Sequence, residues 1–134
     1  MPPLFVYGTL LFPEILDALL SRVPHYLDAT LPAYRRFSIH DGPYVRPYPA
    51  ILPEPKALVK GILLLELSKE EGQILDAYEG EDYTKTTCVV TCGSELVDAH
   101  VYVWRADQRG QLRGNWDPGN FQSNYLNAYL SHFS

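Results

Sequence analysis

Four acidic residues lie close together in the segment LDAYEGEDY: Asp76, Glu79, Glu81 and Asp82. On a helical wheel Asp76 points away from the apolar side, whereas Glu79 lies on the flank of the buried side, four residues after a leucine. The helix dipole disfavours a carboxylate in the last turn, and partial burial raises its pKa further. These conditions suit a general base, although a solvated helix end is the alternative interpretation of the same cluster. We expect Glu81 and Asp82 to belong to that solvated end.

A second segment of interest, LFVYGTLL at Leu4–Leu11, begins as a strand and interrupts itself at Gly8 and Thr9. Its first four residues are strand formers that fit a sheet buried on both faces. A glycine directly after a strand often marks a sharp turn, or a place that another group approaches closely. The sequence therefore predicts one of these two features at Gly8.

Motifs for several familiar chemistries are missing from the sequence. There is no G-x-S-x-G, no phosphate-binding glycine loop, no H-E-x-x-H and no C-x-x-C. The four histidines are far apart, and none lies at metal-ligand spacing from a second ligand type. We therefore predict neither a metal site nor a cofactor, although a folded chain can bring distant ligands together.

The two cysteines, Cys88 and Cys92, lie on a predicted strand. Four residues along a strand span about 13 Å, whereas the Cα atoms of a disulfide are at most about 7 Å apart. We therefore interpret both residues as free, buried or half-buried thiols.

Length and composition predict one domain, residues 1–134, and limit its partners. The chain has 134 residues, 46% of them hydrophobic, which is enough for one core and too little for two ordinary domains. Its net charge is -5 and its 11 Lys and Arg residues are scattered, so nucleic acid is not an expected partner. No signal-like leader follows Met1, and the longest aliphatic run, Ile62–Leu65, is too short to span a membrane. We expect a cytoplasmic protein without a membrane partner, and the oligomeric state is left open.

The hydrophobic pattern of the first half predicts a helix and then extended chain. Pro13–Ser21 has the spacing of an amphipathic helix, and His25–Leu31 and Tyr34–His40 are expected to be extended. Asp41–Lys56 contains five prolines, so we predict an ordered or semi-rigid loop there. Such a loop serves either as the cover of a cavity or as a plain connector.

The second half contains clearer start and stop signals. After a predicted strand at Val59–Leu67, Ser68 and the Glu three residues later form a capping box, which begins a helix that Gly80 closes. Tyr83–Cys92 and Leu96–Trp104 are predicted to form a hairpin. A last helix with an aromatic side begins after Asp117 and Pro118.

Three segments together resemble the gamma-glutamylcyclotransferase-like family. They are YGTL at Tyr7–Leu10, YPAI at Tyr48–Ile51 and LDAYEGEDY at Leu75–Tyr83, in the same order and at similar spacing as in that family. The resemblance extends to the VYVW strand at Val101–Trp104 and to the aromatic last helix. It implies an α+β fold, a small mixed β-barrel with flanking helices, which agrees with the order of elements predicted above.

The resemblance also implies a reaction and a set of site residues. In the family, the alpha-amino group of a gamma-glutamyl amide attacks its own gamma-carbonyl, which releases 5-oxoproline and a free amine. The glutamate matching Glu79 is the general acid/base, and the residues matching Tyr7, Gly8, Thr9 and Leu10 hold the gamma-glutamyl group through backbone amides. Tyr83 is expected to contact the substrate as well. Because the nucleophile belongs to the substrate, no Ser, Cys, metal or cofactor is required.

Two departures from the family pattern leave the substrate open. Lys85 stands where many members have an Arg, which would remove bidentate contact with an anion. Gly8, Thr9 and Leu10 replace the Gly-Ser-Asn of classical members and resemble the gamma-glutamylamine cyclotransferase branch. The substrate is therefore a gamma-glutamyl amine or a gamma-glutamyl amino acid. The competing hypotheses are a binding or regulatory domain that keeps the pocket without turnover, and an interaction module that works through the Pro/Tyr-rich segment.

Overall fold

Strands and helices follow one another along residues 2–133, the part of the chain that the computed structural model describes. The strands are β1 (Leu4–Val6), β2 (Tyr26–Asp41), β3 (Tyr44–Leu64), β4 (Tyr83–Cys92), β5 (Glu95–Trp104) and β6 (Leu112–Arg113). The α-helices are α1 (Pro13–Leu20), α2 (Lys69–Glu79), α3 (Pro118–Asn124) and α4 (Leu126–Leu130). Short 3-10 helices are formed by Thr9–Leu11, Ala106–Gln111 and Ser131–Phe133.

Five of these strands close into a mixed β-barrel with flanking helices, which confirms the predicted fold class. The order is β3-β1-β5-β4-β2, and pairing of β2 with β3 completes the circle. β1 runs parallel to β5, whereas the other neighbours in the circle are antiparallel. The short β6 pairs with β2 outside the circle.

The strand β1 separates two hydrophobic cores, because successive side chains of a strand point to opposite faces. Phe5 faces the barrel interior, where it packs in one cluster with Leu63 and Trp104. Leu4 and Val6 face the other way and join a second cluster between the barrel and the helices. All three residues of β1 are buried, as the sequence predicts for a strand covered on both faces.

The Pro/Tyr-rich segment Asp41–Lys56 is not the predicted loop, because most of it belongs to the long strand β3. It turns back at Gly42, where φ is 62°, and then pairs with β2, with Pro49 opposite Ser38 and Pro53 opposite Tyr34. Residues that are an even number of positions apart in a strand direct their N–H groups to the same edge. Because proline has no N–H, these prolines remove donors from one edge only, and the N–H groups at the other edge are intact. The composition excludes a helix, as predicted, but it does not prevent a strand.

The predicted helix signals are confirmed. The backbone N–H of Glu71 donates to Ser68 Oγ at 3.1 Å, and the N–H of Ser68 donates to Glu71 Oε1 at 3.0 Å. This capping box begins α2, and Gly80, with a φ of 82°, follows its last residue. Asp117 Oδ2 accepts from the N–H of Asn120 at 2.8 Å and begins α3. The last helix is interrupted after Asn124, so it forms two short helices instead of one.

The predicted hairpin of β4 and β5 is also present, with Tyr83 opposite Trp104 and Cys92 opposite Glu95. Both cysteines are free and half-buried, as interpreted from their spacing. No helix within residues 2–133 is long and apolar enough to cross a membrane.

Gly61 of β3 is expected to tolerate no side chain. A Cβ atom there would overlap the carbonyl oxygen of Val6 and lie 2.8 Å from Cζ of Phe5. Gly61→Ala should therefore lower the free energy of unfolding by about 1–3 kcal/mol or more, the cost of overpacking, as measured by urea denaturation. Gly110→Ala is the matched control, because a Cβ at Gly110 has no neighbour within 4 Å. Equal effects of the two substitutions would contradict this account of Gly61.

Candidate active site

The six residues predicted for the site line one open cavity, which we call the loop chamber. Glu79 comes from the end of α2, Tyr83 from the start of β4, and Tyr7, Gly8, Thr9 and Leu10 from the segment after β1. The lining residues of the loop chamber are Val6, Tyr7, Gly8, Thr9, Leu10, Tyr48, Pro49, Glu79, Tyr83 and Tyr102. The fold therefore brings together residues that are more than 70 positions apart in the sequence.

A second open cavity adjoins the first, and we call it the tyrosine chamber. Its lining residues are Thr9, Tyr48, Tyr78, Glu79, Tyr83 and Tyr129. Four of them also line the loop chamber, namely Thr9, Tyr48, Glu79 and Tyr83. Glu79 thus lies at the junction of the two chambers and is accessible from both.

The segment after β1 is held from two sides. The hydroxyl of Tyr7 donates to the carbonyl oxygen of Tyr102 at 2.6 Å, and Nη1 of Arg36 donates to the carbonyl oxygen of Tyr7 at 2.8 Å. The chain then begins a 3-10 helix, in which the N–H of Leu11 donates to the carbonyl oxygen of Gly8 at 3.0 Å. The first N–H groups of such a helix have no partner within it. The N–H groups of residues 8–10 are therefore not used by the helix itself, while the Tyr7 hydroxyl is used inside the protein.

The group that approaches Gly8 is Pro49 of the YPAI segment. A Cβ atom at Gly8 would lie 2.8 Å from Cδ and 2.9 Å from Cγ of the Pro49 ring. The close approach that the sequence predicts as one possibility at Gly8 is therefore made by Pro49. The missing side chain of Gly8 lets the YGTL and YPAI segments pack against each other, so these two motifs form adjoining walls of one cavity.

The backbone groups at the edge of β3 beside this wall form hydrogen bonds with side chains. The carbonyl oxygens of Pro47 and Pro49 accept from Trp116 Nε1 and from the Tyr83 hydroxyl, each at 2.7 Å. The N–H of Ile51 donates to the Tyr7 hydroxyl. Buried backbone groups require such partners, and the prolines have no N–H that needs one. This edge can therefore border a cavity without being covered by another strand.

Glu79 differs from its acidic neighbours in its electrostatic surroundings. It is half-buried at the end of α2, and burial raises its pKa from the ordinary value of 4.5 to about 8. In the described part of the chain no cation lies within ion-pair distance of its carboxyl. A carboxyl group in this condition can both accept and return a proton near neutral pH.

The other acidic residues of the cluster have structural partners. Asp76 accepts from the Tyr102 hydroxyl at 2.5 Å and forms an ion pair with Lys85 at 3.1 Å. Asp82 forms an ion pair with Arg46 at 3.5 Å and accepts from the side-chain amide of Gln108 at 3.2 Å. The side chain of Asp82 is still 41% exposed, and Glu81 is exposed, in agreement with the predicted solvated helix end.

Sequence reasoning missed several tyrosines that surround Glu79. Tyr48 and Tyr78 lie inside the quoted motifs, but nothing in their local sequence indicates that their rings line a cavity. Tyr102 and Tyr129 are brought there only by the tertiary fold. Burial raises the pKa of Tyr78, Tyr83 and Tyr102 above the ordinary value of 10. These hydroxyls are therefore neutral at physiological pH and can donate hydrogen bonds.

Metal-binding residues do not accompany this arrangement. Within residues 2–133, no group of three or more His, Cys, Asp or Glu side chains is placed to hold a metal ion. Lys85, the residue that departs from the family pattern, pairs with Asp76 and lines neither chamber.

Comparison with known proteins assigns the fold and the motifs to one group. The sequence profile described as "Gamma-glutamyl cyclotransferase, AIG2-like" matches residues 4–118. The chain belongs to this family. AIG2-like protein C of Arabidopsis thaliana is 37% identical over 116 residues, which cover 85% of this chain and 65% of the relative. AIG2-like protein D of the same plant is 32% identical over 133 residues, or 97% of this chain and 85% of the relative.

Two solved structures share the architecture of this chain. The solution structure of an Arabidopsis thaliana protein superimposes with a TM-score of 0.74 at 28% identity, covering 98% of this chain and 87% of the other. A gamma-glutamyl cyclotransferase superimposes with a TM-score of 0.65 at 16% identity, covering 98% of this chain and 85% of the other. The latter similarity shows a common fold.

Tyr129 lies beyond the residues that match the AIG2-like profile.

Because the pKa of Glu79 is raised, this residue is expected to lower the free energy of unfolding at alkaline pH. Because this carboxyl binds its proton more tightly in the folded state, the stability it contributes is present at low pH and is lost as pH rises from about 4.5 to about 8. Relative to Glu79→Gln, the wild type should lose up to about 1.4 kcal/mol of unfolding free energy per pH unit in that window. Urea denaturation of both proteins between pH 4 and pH 9 measures the difference. A difference that does not change with pH would show that Glu79 is not desolvated.

Proposed function

We propose that this protein is a gamma-glutamyl cyclotransferase that converts a gamma-glutamyl amine or gamma-glutamyl amino acid into 5-oxoproline and a free amine. The supporting observation is the position of Glu79 at the junction of two chambers. One chamber is bordered by the backbone of Tyr7–Leu10 and the other by tyrosine rings. The reaction requires a proton to leave one end of the substrate and to arrive at the other, and a carboxyl group at such a junction can serve both ends.

The gamma-glutamyl group is assigned to the loop chamber. Backbone N–H groups of residues 8–10 at the start of the 3-10 helix are suited to a carboxylate or to the oxyanion that forms at the gamma-carbonyl. The guanidinium of Arg36 bonds to the carbonyl oxygen of Tyr7 and adds positive charge behind this segment. Removal of one oxyanion donor typically costs about 10²- to 10³-fold in rate. A few backbone donors are therefore enough to increase the rate of the reaction substantially.

The first proton transfer is favoured by the desolvation of Glu79. A bound alpha-ammonium group would stabilise the carboxylate form of Glu79, because an opposite charge nearby favours ionisation. Transfer of the proton from the ammonium to Glu79 then replaces an ion pair with two neutral groups, which a desolvated site tolerates better than charges. The neutral amine is the form that can act as a nucleophile.

Ring closure and amide cleavage follow. The alpha-nitrogen forms a bond to the gamma-carbonyl carbon, and the carbonyl oxygen becomes an oxyanion that faces the backbone donors. As the tetrahedral intermediate collapses, the bond from the gamma-carbon to the leaving nitrogen breaks, and Glu79 returns its proton to that nitrogen. The ring nitrogen, which still carries its second proton, releases it to the Glu79 carboxylate, and the neutral amide of 5-oxoproline results. Holding the substrate in a bent conformation provides part of the rate through proximity.

Replacement of the carboxyl at position 79 should abolish most turnover. Glu79→Gln keeps the shape of the side chain but cannot accept a proton, so release of 5-oxoproline should fall by at least about 10²-fold. Binding of 5-oxoproline should persist, because the backbone of residues 8–10 is unchanged. The assay uses a panel of gamma-glutamyl compounds with detection of 5-oxoproline, and calorimetry measures binding.

Glu81→Gln is the matched control, because Glu81 is exposed and lines neither chamber. It should retain the wild-type rate. Wild-type turnover by Glu79→Gln, or selective loss in Glu81→Gln, would assign the acid/base to another residue. A wild type that binds gamma-glutamyl compounds without releasing 5-oxoproline would favour a binding domain over an enzyme.

Turnover should also be independent of metal ions, because the substrate supplies the nucleophile and Glu79 moves the proton. Dialysis against EDTA is therefore expected to leave the rate of 5-oxoproline release unchanged. Loss of the rate with EDTA and its recovery with a divalent cation would contradict the proposed chemistry.

A further inference from the structure

Tyr129 lines the tyrosine chamber although it lies outside the part of the chain that matches the family profile, residues 4–118. Its ring packs edge-on against Phe121 of α3, with 5.5 Å between ring centroids, and against Phe133, at 5.9 Å. These aromatic contacts fix the position of α4 beside the cavity. The far wall of the tyrosine chamber is therefore built from α4, which follows the residues that match the family profile.

Hydrogen bonds connect this wall to the segment that borders the loop chamber. The hydroxyls of Tyr129 and Tyr78 are 2.6 Å apart, and the Tyr78 hydroxyl is 2.7 Å from Oγ1 of Thr9. Burial is the main cause that raises the pKa of both tyrosines, so the chain of hydroxyls is uncharged. Tyr129 is thus held at the cavity by its ring and by its hydroxyl.

The two chambers differ in what they offer a gamma-glutamyl amide. Three residues of the backbone segment, Tyr7, Gly8 and Leu10, line only the loop chamber, whereas Thr9 lines both. If the gamma-glutamyl group occupies the loop chamber, its gamma-carbonyl lies near Thr9 and Glu79 at the junction. The amine on the far side of that carbonyl then extends into the tyrosine chamber.

We infer, on the basis of the proposed cyclotransferase function, that Tyr129 is a specificity-determining residue, whose ring limits the bulk of the leaving amine that the tyrosine chamber accepts. The other tyrosines of that chamber, Tyr48, Tyr78 and Tyr83, lie before residue 118, whereas Tyr129 is contributed by α4. A different side chain at position 129 would then change which leaving amine is accepted while Glu79 and the YGTL segment stay the same.

The test compares two substrates that share the gamma-glutamyl group and differ in the leaving amine. Gamma-glutamyl methylamide carries a small amine, and gamma-glutamyl 2-naphthylamide carries a large one. Tyr129→Ala should raise the ratio of kcat/KM for the naphthylamide over the methylamide by at least about 10-fold, since filling or emptying part of a pocket changes discrimination by this order. Tyr129→Phe keeps the ring and should leave the ratio unchanged. Affinity for 5-oxoproline, which lacks a leaving amine, should be unchanged in both variants.

Tyr125→Ala is the control, because this tyrosine lies four residues earlier, stacks on Phe121 and lines neither chamber. Its side chain is 50% exposed, and its loss should not alter the ratio. If Tyr129→Ala does not fold, Tyr129→Leu keeps an apolar contact with Phe121 and still removes the ring from the chamber. Equal effects on both substrates would overturn the inference and leave Tyr129 a purely structural residue.

Failure of the proposed function is distinguished by binding measurements on the same proteins. If the wild type binds both amides but cleaves neither, the cyclotransferase proposal fails, and the ratio of the two dissociation constants replaces the ratio of kcat/KM. A shift of that ratio towards the naphthylamide in Tyr129→Ala, with none in Tyr125→Ala, supports the inference. An unshifted ratio overturns it. If the wild type binds neither amide nor 5-oxoproline, both proposals are overturned.

Discussion

One edge of β3, along residues 47–51, does not pair with β2. The backbone groups of this edge form hydrogen bonds with side chains. Trp116, Tyr83 and Tyr7 supply these bonds, each from a different part of the chain. A sheet edge left open inside a protein is costly, because each unpaired backbone group loses its bonds to water. Isolated side-chain partners satisfy the edge and still leave space beside it. The cavity depends on this arrangement, since a strand paired along the same edge would fill the space that it occupies.

The same edge explains why the YGTL and YPAI segments occur together. Pro49 packs directly against Gly8, and any larger residue at position 8 would push the two segments apart. The backbone donors of residues 8–10 are therefore positioned by contact with β3 as well as by their own 3-10 helix. Glu79 reaches the cavity from the opposite side, at the last position of a helix whose start is fixed by a capping box. The site thus depends on both a barrel strand and a flanking helix.

Much of the fold could be predicted because its signals are local. The capping box of Ser68 and Glu71, the proline at the start of α3 and the short connection between β4 and β5 each involve residues within a few positions of one another. The inward position of Glu79 followed from helix geometry in the same way. The prolines of β3 misled the prediction, because proline is compatible with a strand when its missing N–H faces an edge that needs no donor. Which edge of the strand needs no donor is determined only by the folded structure.

The tyrosines around Glu79 could not be identified for a related reason. Tyr102 and Tyr129 are distant from Glu79 in sequence, and their surroundings resemble an ordinary buried strand and an ordinary amphipathic helix. Aromatic residues occur in cores far more often than in sites, so their type alone does not indicate a cavity. Asp82 shows the opposite case, in which a residue at an apparently solvated helix end has partners on β3 and on the 3-10 helix after β5.

The pairing of β1 has a consequence for how the protein acquires its structure. Leu4 lies opposite Leu64 on one side and His100 on the other, so the first strand of the chain has neighbours that are synthesised much later. Contacts between residues this far apart require the closure of long loops and slow the folding of a domain. During synthesis, the apolar residues of β1 must wait for β5 before both sides of the strand are paired. We therefore expect the N-terminal strand, together with the loop that follows it, to be ordered late, and the nascent chain to be most vulnerable to aggregation until β5 has emerged from the ribosome.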